Sequence, residues 1–489
     1  MAKNLTTREN DYSRWYNDLV IQADLADNSG VRGCMIVKPY GFAIWERIQQ
    51  ELDSRFKETG HVNAYFPLFI PKSHFSKEAD HVEGFAKECA VVTHYRLKNN
   101  PNGSGIIVDE DAKLEEELIV RPTSETIIWD TYKKWVQSYR DLPIMVNQWA
   151  NVVRWEMRTR LFLRTSEFLW QEGHTAHATE KEAIFESQQM IDVYGDFVEE
   201  YMAIPVIRGT KSSNERFAGA LETFCIETLM QDGKALQAGT SHELGQNFSK
   251  AFEIQFSDKN NKLQHPYQTS WGVSTRLIGM IIMAHGDDKG LKLPPNLAPI
   301  QIVIVPIIPN QDEKELVMNK VEEINKLLSK HRVEVDDRSE VTPGFKFNEW
   351  ELKGVPIRIE IGPRDIENNK VIISRRDVDG SKIEVSIENL SQKVDELLYE
   401  IQNNMFLKSK NHMDENTFHV DSKEELIKTL NNKEGFVTCY WHENEKDEIE
   451  IKELTSATIR CYPIDVNDTK KSINQKNKDG CYTIFSKAY

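Results

Sequence analysis

Two neighbouring stretches, MVNQWANVVRWE (residues 145–156) and TRLFLRTSEFLWQE (residues 159–172), decide the fold class of this chain. Both combine β-branched and aromatic residues with short polar interruptions, a pattern typical of strands joined by turns. RPTSE, at 121–125, is also predicted to belong to the strands and turns around this sheet. Together these stretches predict an antiparallel sheet within a mixed α+β domain.

A helix is predicted upstream of these strands, from Tyr40 to Thr59. Its apolar residues recur at helical spacing, which predicts one buried stripe. Gly60 follows at once and favours a C-terminal stop. The residues expected in the stripe are Phe42, Ile44, Trp45, Ile48, Leu52 and Phe56.

The pattern of predicted strands and helices changes after LKLPPNLAP (291–299), a stretch whose prolines indicate a connector. Strand-like and helical stretches then alternate up to a closing helix, SIENLSQKVDELLYEIQNNM (386–405). Such alternation predicts a compact α/β domain. We therefore expect a first domain over 1–295, a second over 296–405 and a small α+β third domain over 406–489.

Composition is that of an ordinary folded protein, with 39% hydrophobic and 28% charged residues among 489. The N-terminal residues lack an apolar core of signal-peptide length, so we expect a cytoplasmic protein. Six scattered cysteines without a CxxC pair signal neither disulfides nor a zinc knuckle. The net charge of −16 argues against a nucleic-acid partner unless lysine and arginine cluster on one face.

Four islands of the first domain place arginine, histidine or carboxylate groups where a core segment would be apolar. Three of them are RPTSE (121–125), NVVRWE (151–156) and RTSEFLWQEGH (164–174). The fourth pairs QAGTSHELGQNF (237–248) with SWGVSTRLIG (270–279).

These islands resemble the signature motifs of class II aminoacyl-tRNA synthetases, and their amino-acid sequences are similar to those of the prolyl-tRNA synthetases. The likeness covers about residues 29–377, including YFPLFIP (65–71) and PGFKFNEWELKGVPIRIEIGPRD (343–365). It is closest to the archaeal and eukaryotic-like form of the family, type 3. It implies a proline–tRNA ligase that forms prolyl-adenylate from L-proline and ATP and then charges tRNA(Pro).

The first of these steps joins two anions, so a fixed cation is needed between the carboxylate and the α-phosphate. Guanidinium groups suit this task because they stay charged and bond bidentately to both anions. The resemblance gives the catalytic role to Arg154 and Arg276, although an isolated arginine is more often part of a surface ion pair. It places Mg²⁺, carried by ATP, near Gln237 and Glu156. The implied ATP-binding residues are Arg154, Glu156, Arg164, Thr165, Phe168, Gln237, Thr240, Ser274 and Arg276.

A proline pocket needs acceptors for a secondary ammonium and close apolar walls. The resemblance supplies Thr123 and Glu125 as acceptors, but Thr-Ser-Glu is also a helix N-cap signal. Phe168, predicted to stack on adenine with Arg276, would by itself more often be a core residue. The implied proline-binding residues are Thr123, Glu125, Arg154, Trp170, His174, Phe217 and His242.

The second domain resembles the anticodon-binding domain of class II synthetases, in which Glu351, Arg358 and Arg364 match positions that contact anticodon bases. A solvated charged face is the alternative. In the third domain, relatives often hold zinc with four cysteines, but here Cys439 is followed five residues on by Asn444. No structural zinc is therefore expected. About sixty residues separate His174 from Gln237, too few for an editing domain.

The family also implies a homodimer without membrane association. A synthetase-like RNA-binding or regulatory protein without catalysis is the main alternative, which the presence of Arg154, Arg164 and Arg276 disfavours. A synthetase for threonine, histidine or serine is disfavoured by RPTSE with FLWQEGH. A zinc protease is disfavoured because Glu243 after His242 lacks the second histidine of HExxH, and nothing selects a glycosidase carboxylate pair.

Overall fold

The structure is a computed structural model of the chain, in which residues 5–79, 88–475 and 477–489 are described. Its dominant feature is one long sheet that runs through the first and the last parts of the chain. Among the described residues this sheet has twelve strands. A separate five-stranded sheet forms the middle part.

Helices in the first part of the chain pack against the long sheet, and their apolar faces contribute to two separate hydrophobic cores. The helices are α1 (Tyr12–Gln22), α2 (Pro39–Glu58), α3 (Lys72–Ala79), α4 (Glu125–Trp135), α5 (Glu180–Met202), α6 (Asn247–Ala251) and α7 (Arg276–His285). The strands are β1 (Ala26–Asn28), β2 (Met35–Val37), β3 (Val62–Asn63), β4 (Phe69–Pro71), β5 (Ala90–His94), β6 (Leu97–Asn99), β7 (Ile106–Val108), β8 (Lys113–Val120), β9 (Ile144–Val153), β10 (Glu167–His177), β11 (Ile207–Thr210), β12 (Glu222–Leu229), β13 (Ala235–Gly245), β14 (Phe256–Ser257), β15 (Leu263–Gln264) and β16 (Tyr267–Ser274).

The helix predicted over 40–59 is confirmed as α2, which begins one residue earlier because Pro39 fits the first helical position. Gly60 adopts φ +90°, a conformation that few other residues tolerate, and stops the helix as expected. Five of the six stripe residues are buried. Phe42 is 40% exposed, so its placement in the core was wrong.

The middle part is an α/β unit with its own core, as the alternating pattern predicted. Strand order in its sheet is β18-β17-β19-β20-β21, with parallel pairing of β17 to β18 and β19. Its elements are β17 (Ile302–Pro306), α8 (Lys314–Leu327), β18 (Val333–Val335), α9 (Pro343–Leu352), β19 (Ile357–Ile361), α10 (Pro363–Glu367), β20 (Lys370–Arg375), β21 (Ile383–Ser386) and α11 (Leu390–Glu415). The predicted boundary between 405 and 406 lies inside α11.

The last part of the chain is a small α+β unit whose strands continue the long sheet. Residues Gly209 and Thr210 of β11 pair with Pro463 and Tyr462 of the C-terminal unit. Its elements are β22 (Thr417–His419), α12 (Lys423–Asn432), β23 (Phe436–Trp441), α13 (Glu445–Thr455), β24 (Thr458–Pro463), β25 (Thr469–Lys471) and β26 (Asp479–Ser486). The long sheet runs β22-β23-β26-β24-β11-β12-β13-β16-β10-β9-β3, and β25 pairs with β26.

Candidate active site

A cavity of about 330 Å³ opens on one face of the long sheet and contains every residue that was predicted to bind proline. A second cavity of about 290 Å³ adjoins it. The two share four lining residues, so they form one continuous groove. The shared residues are Arg154, Phe168, Ser274 and Arg276.

Strand alternation explains how β10 supplies this groove. Successive side chains of a strand point to opposite faces, so Phe168, Trp170, Glu172 and His174 share one face. His177 lies on the other face, where its Nε2 is 2.7 Å from Thr175 Oγ1. His174 and His177 therefore cannot bind one metal ion together.

A β-bulge allows both odd-numbered and even-numbered residues of β13 to face the same cavity. Ile226 of β12 pairs with Gly239 and Glu227 pairs with Gln237, so Ala238 is the extra residue. Such an insertion reverses the facing of every residue beyond it. Gln237, before the bulge, and Thr240 and His242, after it, consequently line one cavity.

Two carboxylates and two imidazoles occupy the deep end of the cavity. Glu172 Oε2 lies 3.0 Å from His174 Nε2, and Gln148 Nε2 donates to Glu172 Oε1 at 2.8 Å. Ser124 Oγ also donates to Glu172 Oε1. Ser124 occupies the N-cap position of α4, but its side chain makes no capping hydrogen bond. The sequence Thr-Ser-Glu at 123–125 therefore does not cap the helix through Ser124.

The charge states at this end follow from burial and from the neighbouring groups. Burial lowers the pKa of His174, but the hydrogen bond to Glu172 and the charge of Glu125 outweigh it and raise that pKa overall. Burial and the charge of His174 lower the pKa of His242 to about 3. Burial raises the pKa of Glu125, and the charge of Glu172 adds to this effect while His174 opposes it. The deep end thus holds two acidic side chains beside one imidazole, and the charge of Arg154 acts on both acidic groups.

Glu125, Glu172 and His174 also form a group of potential metal ligands, whose ligand atoms lie within 4.8 Å of one another. Within residues 5–79, 88–475 and 477–489 it is the one such group of three. Oε2 of Glu125 and Nδ1 of His174 lack a hydrogen-bond partner in the described chain. Oε2 of Glu125 is therefore able to accept a hydrogen bond from an N–H group of a ligand.

At the other end of the groove lie two guanidinium groups, of which that of Arg154 is exposed and that of Arg276 is half-buried. Arg154 Nε donates to the carbonyl oxygen of Pro122 at 2.8 Å, and its guanidinium carbon lies 5.5 Å from the Trp170 ring centroid. Arg276 begins α7 and donates from Nε to the carbonyl oxygen of Leu163. Burial, followed by the charge of Arg154, lowers the pKa of Arg276. Two cations so placed form a site for an anion.

The remaining predicted nucleotide-binding residues line the second cavity or the groove between the two. Glu156, Arg164 and Thr165 line the second cavity. Arg164 Nε donates to Glu156 Oε2 at 2.6 Å, and the other carboxylate oxygen accepts from the Arg158 amide. Gln237, predicted near the same magnesium ion as Glu156, lines only the first cavity.

Glu351 and Arg358 lie together in a distant groove of about 300 Å³ in the middle part of the chain. The Arg358 guanidinium lies 4.2 Å from the centroid of the Phe347 ring and donates to Glu360 Oε1. Arg364, on α10, is not among the residues that line this groove. The structure therefore brings two of the three predicted anticodon residues into one groove.

Several lining residues were missed from the sequence. Glu172 could have been found, since it lies two residues before His174 on one strand and therefore on the same face. Lys211, Glu215 and Thr223 also line the cavity. Their stretch carries no local motif, and only the pairing of β11, β12 and β13 brings them to the site.

Comparison with known proteins agrees with this geometry. Residues 107–285 match the tRNA synthetase class II core domain of the glycine, histidine, proline, serine and threonine enzymes. Residues 301–397 match an anticodon binding domain, and residues 423–489 match a domain described as "Prolyl-tRNA synthetase, C-terminal". A protein of Flavobacterium johnsoniae named proline–tRNA ligase is 59% identical over 493 residues, covering all of both chains.

The chain belongs to the prolyl-tRNA synthetase family.

Two more proline–tRNA ligases are similarly close. That of Phocaeicola vulgatus is 62% identical and covers 95% of this chain and 94% of its own. That of Porphyromonas gingivalis is 58% identical over 490 residues, with 100% and 99% coverage. The predicted fold class and the predicted activity, that of a class II proline–tRNA ligase, are thereby confirmed. Members of this prolyl-tRNA synthetase family generally use ATP with Mg²⁺. No helix of the described residues is long and apolar enough to cross a membrane.

Proposed function

We propose that proline binds at the deep end of the cavity, with its secondary ammonium between Thr123 and Glu125. The observation that carries this assignment is the buried group of Glu125, Glu172 and His174, in which Oε2 of Glu125 lacks a hydrogen-bond partner in the described chain. Trp170, Phe217 and His242 form the walls, and the Phe217 ring stacks on His242 with their centroids 4.4 Å apart. This arrangement suits a small ring with two N–H donors.

ATP occupies the neighbouring end of the groove. Its adenine lies between Phe168 and Arg276, and its phosphates lie near Arg154, Arg164 and Arg276. Thr165, Thr240, Gln237 and Ser274 line the space between the sites, and the magnesium ion arrives on the phosphates. Glu156 then has a second contribution, because its carboxylate holds Arg164 in place.

In the first reaction a proline carboxylate oxygen attacks the α-phosphorus, a new P–O bond forms, and pyrophosphate leaves. Arg154 lies between the two anions and reduces their repulsion in the transition state. In the second reaction a hydroxyl of the terminal tRNA ribose attacks the adenylate carbonyl carbon, and AMP leaves. Bases of the anticodon bind in the middle domain against Glu351, Arg358 and Arg364.

Amino-acid-dependent exchange between ATP and pyrophosphate, with each of the twenty amino acids, tests this assignment. We expect proline to support exchange above every other amino acid. Thr123, Glu125 and Phe217 would lose their proposed role if threonine, histidine or serine gave the larger rate.

We further propose the archaeal and eukaryotic-like subtype, with domains over 1–295, 296–405 and 406–489 and no editing domain. Supporting this, residues 180–229 contain α5, β11 and β12, which belong to the catalytic part itself. Alanine is smaller than proline and is poorly excluded by such a pocket. Release of alanine from Ala-tRNA by the purified protein would contradict the proposal.

The C-terminal domain is proposed to lack structural zinc. Asn444, at the position where relatives hold a ligand, caps α13 by accepting from the Asp447 amide at 3.1 Å. Cys439 is buried in an apolar cluster with Trp441 and Phe485, whereas Cys461 belongs to a different cluster. Zinc found in stoichiometric amount by elemental analysis would overturn this.

A homodimer is proposed because apolar side chains are exposed on and next to the short strands β3 to β7. Monomeric proteins rarely expose so many apolar residues on neighbouring strands. We expect about twice the 56.6 kDa chain mass in light scattering after gel filtration, and a monomer at micromolar concentration would contradict the dimer. The exposed residues are Val62, Tyr65, Phe69, Val91, Tyr95, Leu97, Ile106, Ile107 and Val108.

A further inference from the structure

The segment 211–221 joins β11 to β12 and lies between the proposed proline pocket and the C-terminal domain; we call it the pocket loop. On its inner side, Glu215 and Phe217 line the cavity. The Phe217 amide donates to Thr223 Oγ1 at 3.0 Å, and the same hydroxyl lies 3.0 Å from His242 Nδ1. The loop therefore supplies one wall of the pocket.

On its outer side, two carboxylates of the C-terminal domain hold the same loop. Glu448 Oε2, on α13, accepts from Ser212 Oγ and from Asn214 Nδ2, each at 3.0 Å. Glu443, just before α13, accepts from the Ser213 amide at 2.6 Å. Three consecutive loop residues are thus fixed within five positions of Phe217.

The base of the pocket loop is held by a buried charge network that also crosses the domain boundary. Lys211 Nζ donates to Glu227 Oε1 and to the carbonyl oxygen of Arg460, both at 2.7 Å. The Arg460 guanidinium donates to both oxygens of Glu227. Burial penalises these charges, but their mutual attraction lowers the pKa of Glu227 and raises that of Lys211. Removal of any one member would leave the others unpaired away from water.

The two domains come into close contact beside this network. A Cβ atom on Gly209 of β11 would lie 2.6 Å from Cys461 Cβ of β24, so glycine is needed for the approach. This contact brings α13 within reach of the loop. The hydrogen bonds to Glu443 and Glu448 are consequently part of a continuous domain interface.

We propose that the C-terminal domain sets the affinity for proline by positioning the pocket loop. Glu443 and Glu448 are its positioning residues, and they act through Phe217. Without them the loop samples more conformations, and binding proline must then include the cost of ordering Phe217 against His242. The inference rests on the proposed proline pocket and adds a function for the C-terminal domain.

The test compares Glu448→Ala, Glu448→Gln and Glu453→Ala in ATP–pyrophosphate exchange. Glu453 is a matched control because it is exposed on the same helix. Loss of two hydrogen bonds to a carboxylate is expected to raise KM for proline about tenfold in Glu448→Ala. The KM for ATP should stay within about twofold, since the loop lines the amino-acid end. Glu448→Gln keeps an acceptor oxygen and should restore a KM close to that of the wild type.

The loop side provides a second measurement that does not depend on altering α13. Ser212→Ala with Asn214→Ala removes the donors that Glu448 binds, and should raise KM for proline by a similar factor. Combining these changes with Glu448→Ala should add little, because all three remove the same contacts. The preference for proline over alanine should fall in each variant, a change that simple loss of folded protein does not produce.

Three results would overturn the inference: an unchanged KM for proline in folded Glu448→Ala, an equal rise in Glu453→Ala, or full additivity in the combined variant. Failure of the proposed function would look different. In that case wild-type protein and the Glu453→Ala control would themselves show no exchange that depends on proline.

Discussion

Replacing Arg154 with alanine is expected to reduce proline-dependent ATP–pyrophosphate exchange by about a thousandfold or more, on the scale known for removing a fixed donor to a developing anion. Arg154 is an exposed cation of the groove that lies between the proposed carboxylate site and the phosphate site, and it forms no salt bridge in the described chain. Its loss leaves the repulsion between the two anions uncompensated. Arg154→Lys should recover only part of the rate, because an ammonium group lacks the bidentate geometry.

Arg358→Ala is the matched control for this prediction. It removes the same side chain from the groove of the middle domain, far from the cavity. Exchange should be unaffected, whereas charging of tRNA should weaken. Equal damage to both reactions would refute an anticodon role for Arg358, and exchange above a tenth of wild type in Arg154→Ala would refute the catalytic role of Arg154.

Glu125→Gln is the second change with a large expected effect, a rise in KM for proline of about a hundredfold. The carboxylate is 5% exposed, and its Oε2 lacks a partner in the described chain. The amide keeps the size of the side chain but removes the charge that the ammonium needs. Exchange at saturating proline should fall much less than in Arg154→Ala.

The same carboxyl predicts a pH dependence. Burial, and then the charge of Glu172, raises the pKa of Glu125, while His174 opposes them. A raised carboxyl pKa means that the charged form is lost as pH falls through that value. The kcat/KM for proline should therefore decrease towards acid pH in wild type, and this limb should be absent in Glu125→Gln.

Glu243→Gln is the control for both measurements. Burial also raises the pKa of Glu243, but this residue follows His242 on β13 and does not line the cavity. It should retain the wild-type KM and the wild-type acid limb. A normal KM for proline in Glu125→Gln would show that the Glu125 carboxylate does not bind the proline ammonium. A hundredfold rise of that KM in Glu243→Gln would show that the effect is not specific to the cavity.

Local sequence was sufficient where one element decides the outcome. The spacing of Ile44, Ile48 and Leu52 marks the buried face of α2, and period-two alternation along β10 puts Trp170 on the same face as His174. Phe42 also had the right spacing. It is exposed because the helix covers the core along a narrower face than its apolar residues span.

The features that could not be predicted depend on contacts between distant segments. A bulge at Ala238 changes which residues of β13 face the cavity, and no local pattern shows it. Lys211 reaches the site only because β11 pairs with β12 and its charge is balanced by Glu227 and Arg460. Resemblance identified the substrates, but no local sequence pattern indicates the proposed role of the C-terminal domain.

The pairing of β11 with β24 also bears on how the protein is made. Without β24, β11 would be the edge of the catalytic sheet, with open backbone donors and acceptors. Residues 458–463 are synthesised about 250 positions after β11, and domains usually form as they emerge from the ribosome. The nascent catalytic sheet therefore carries an unprotected edge through about half of translation, and any product that ends before β24 keeps it.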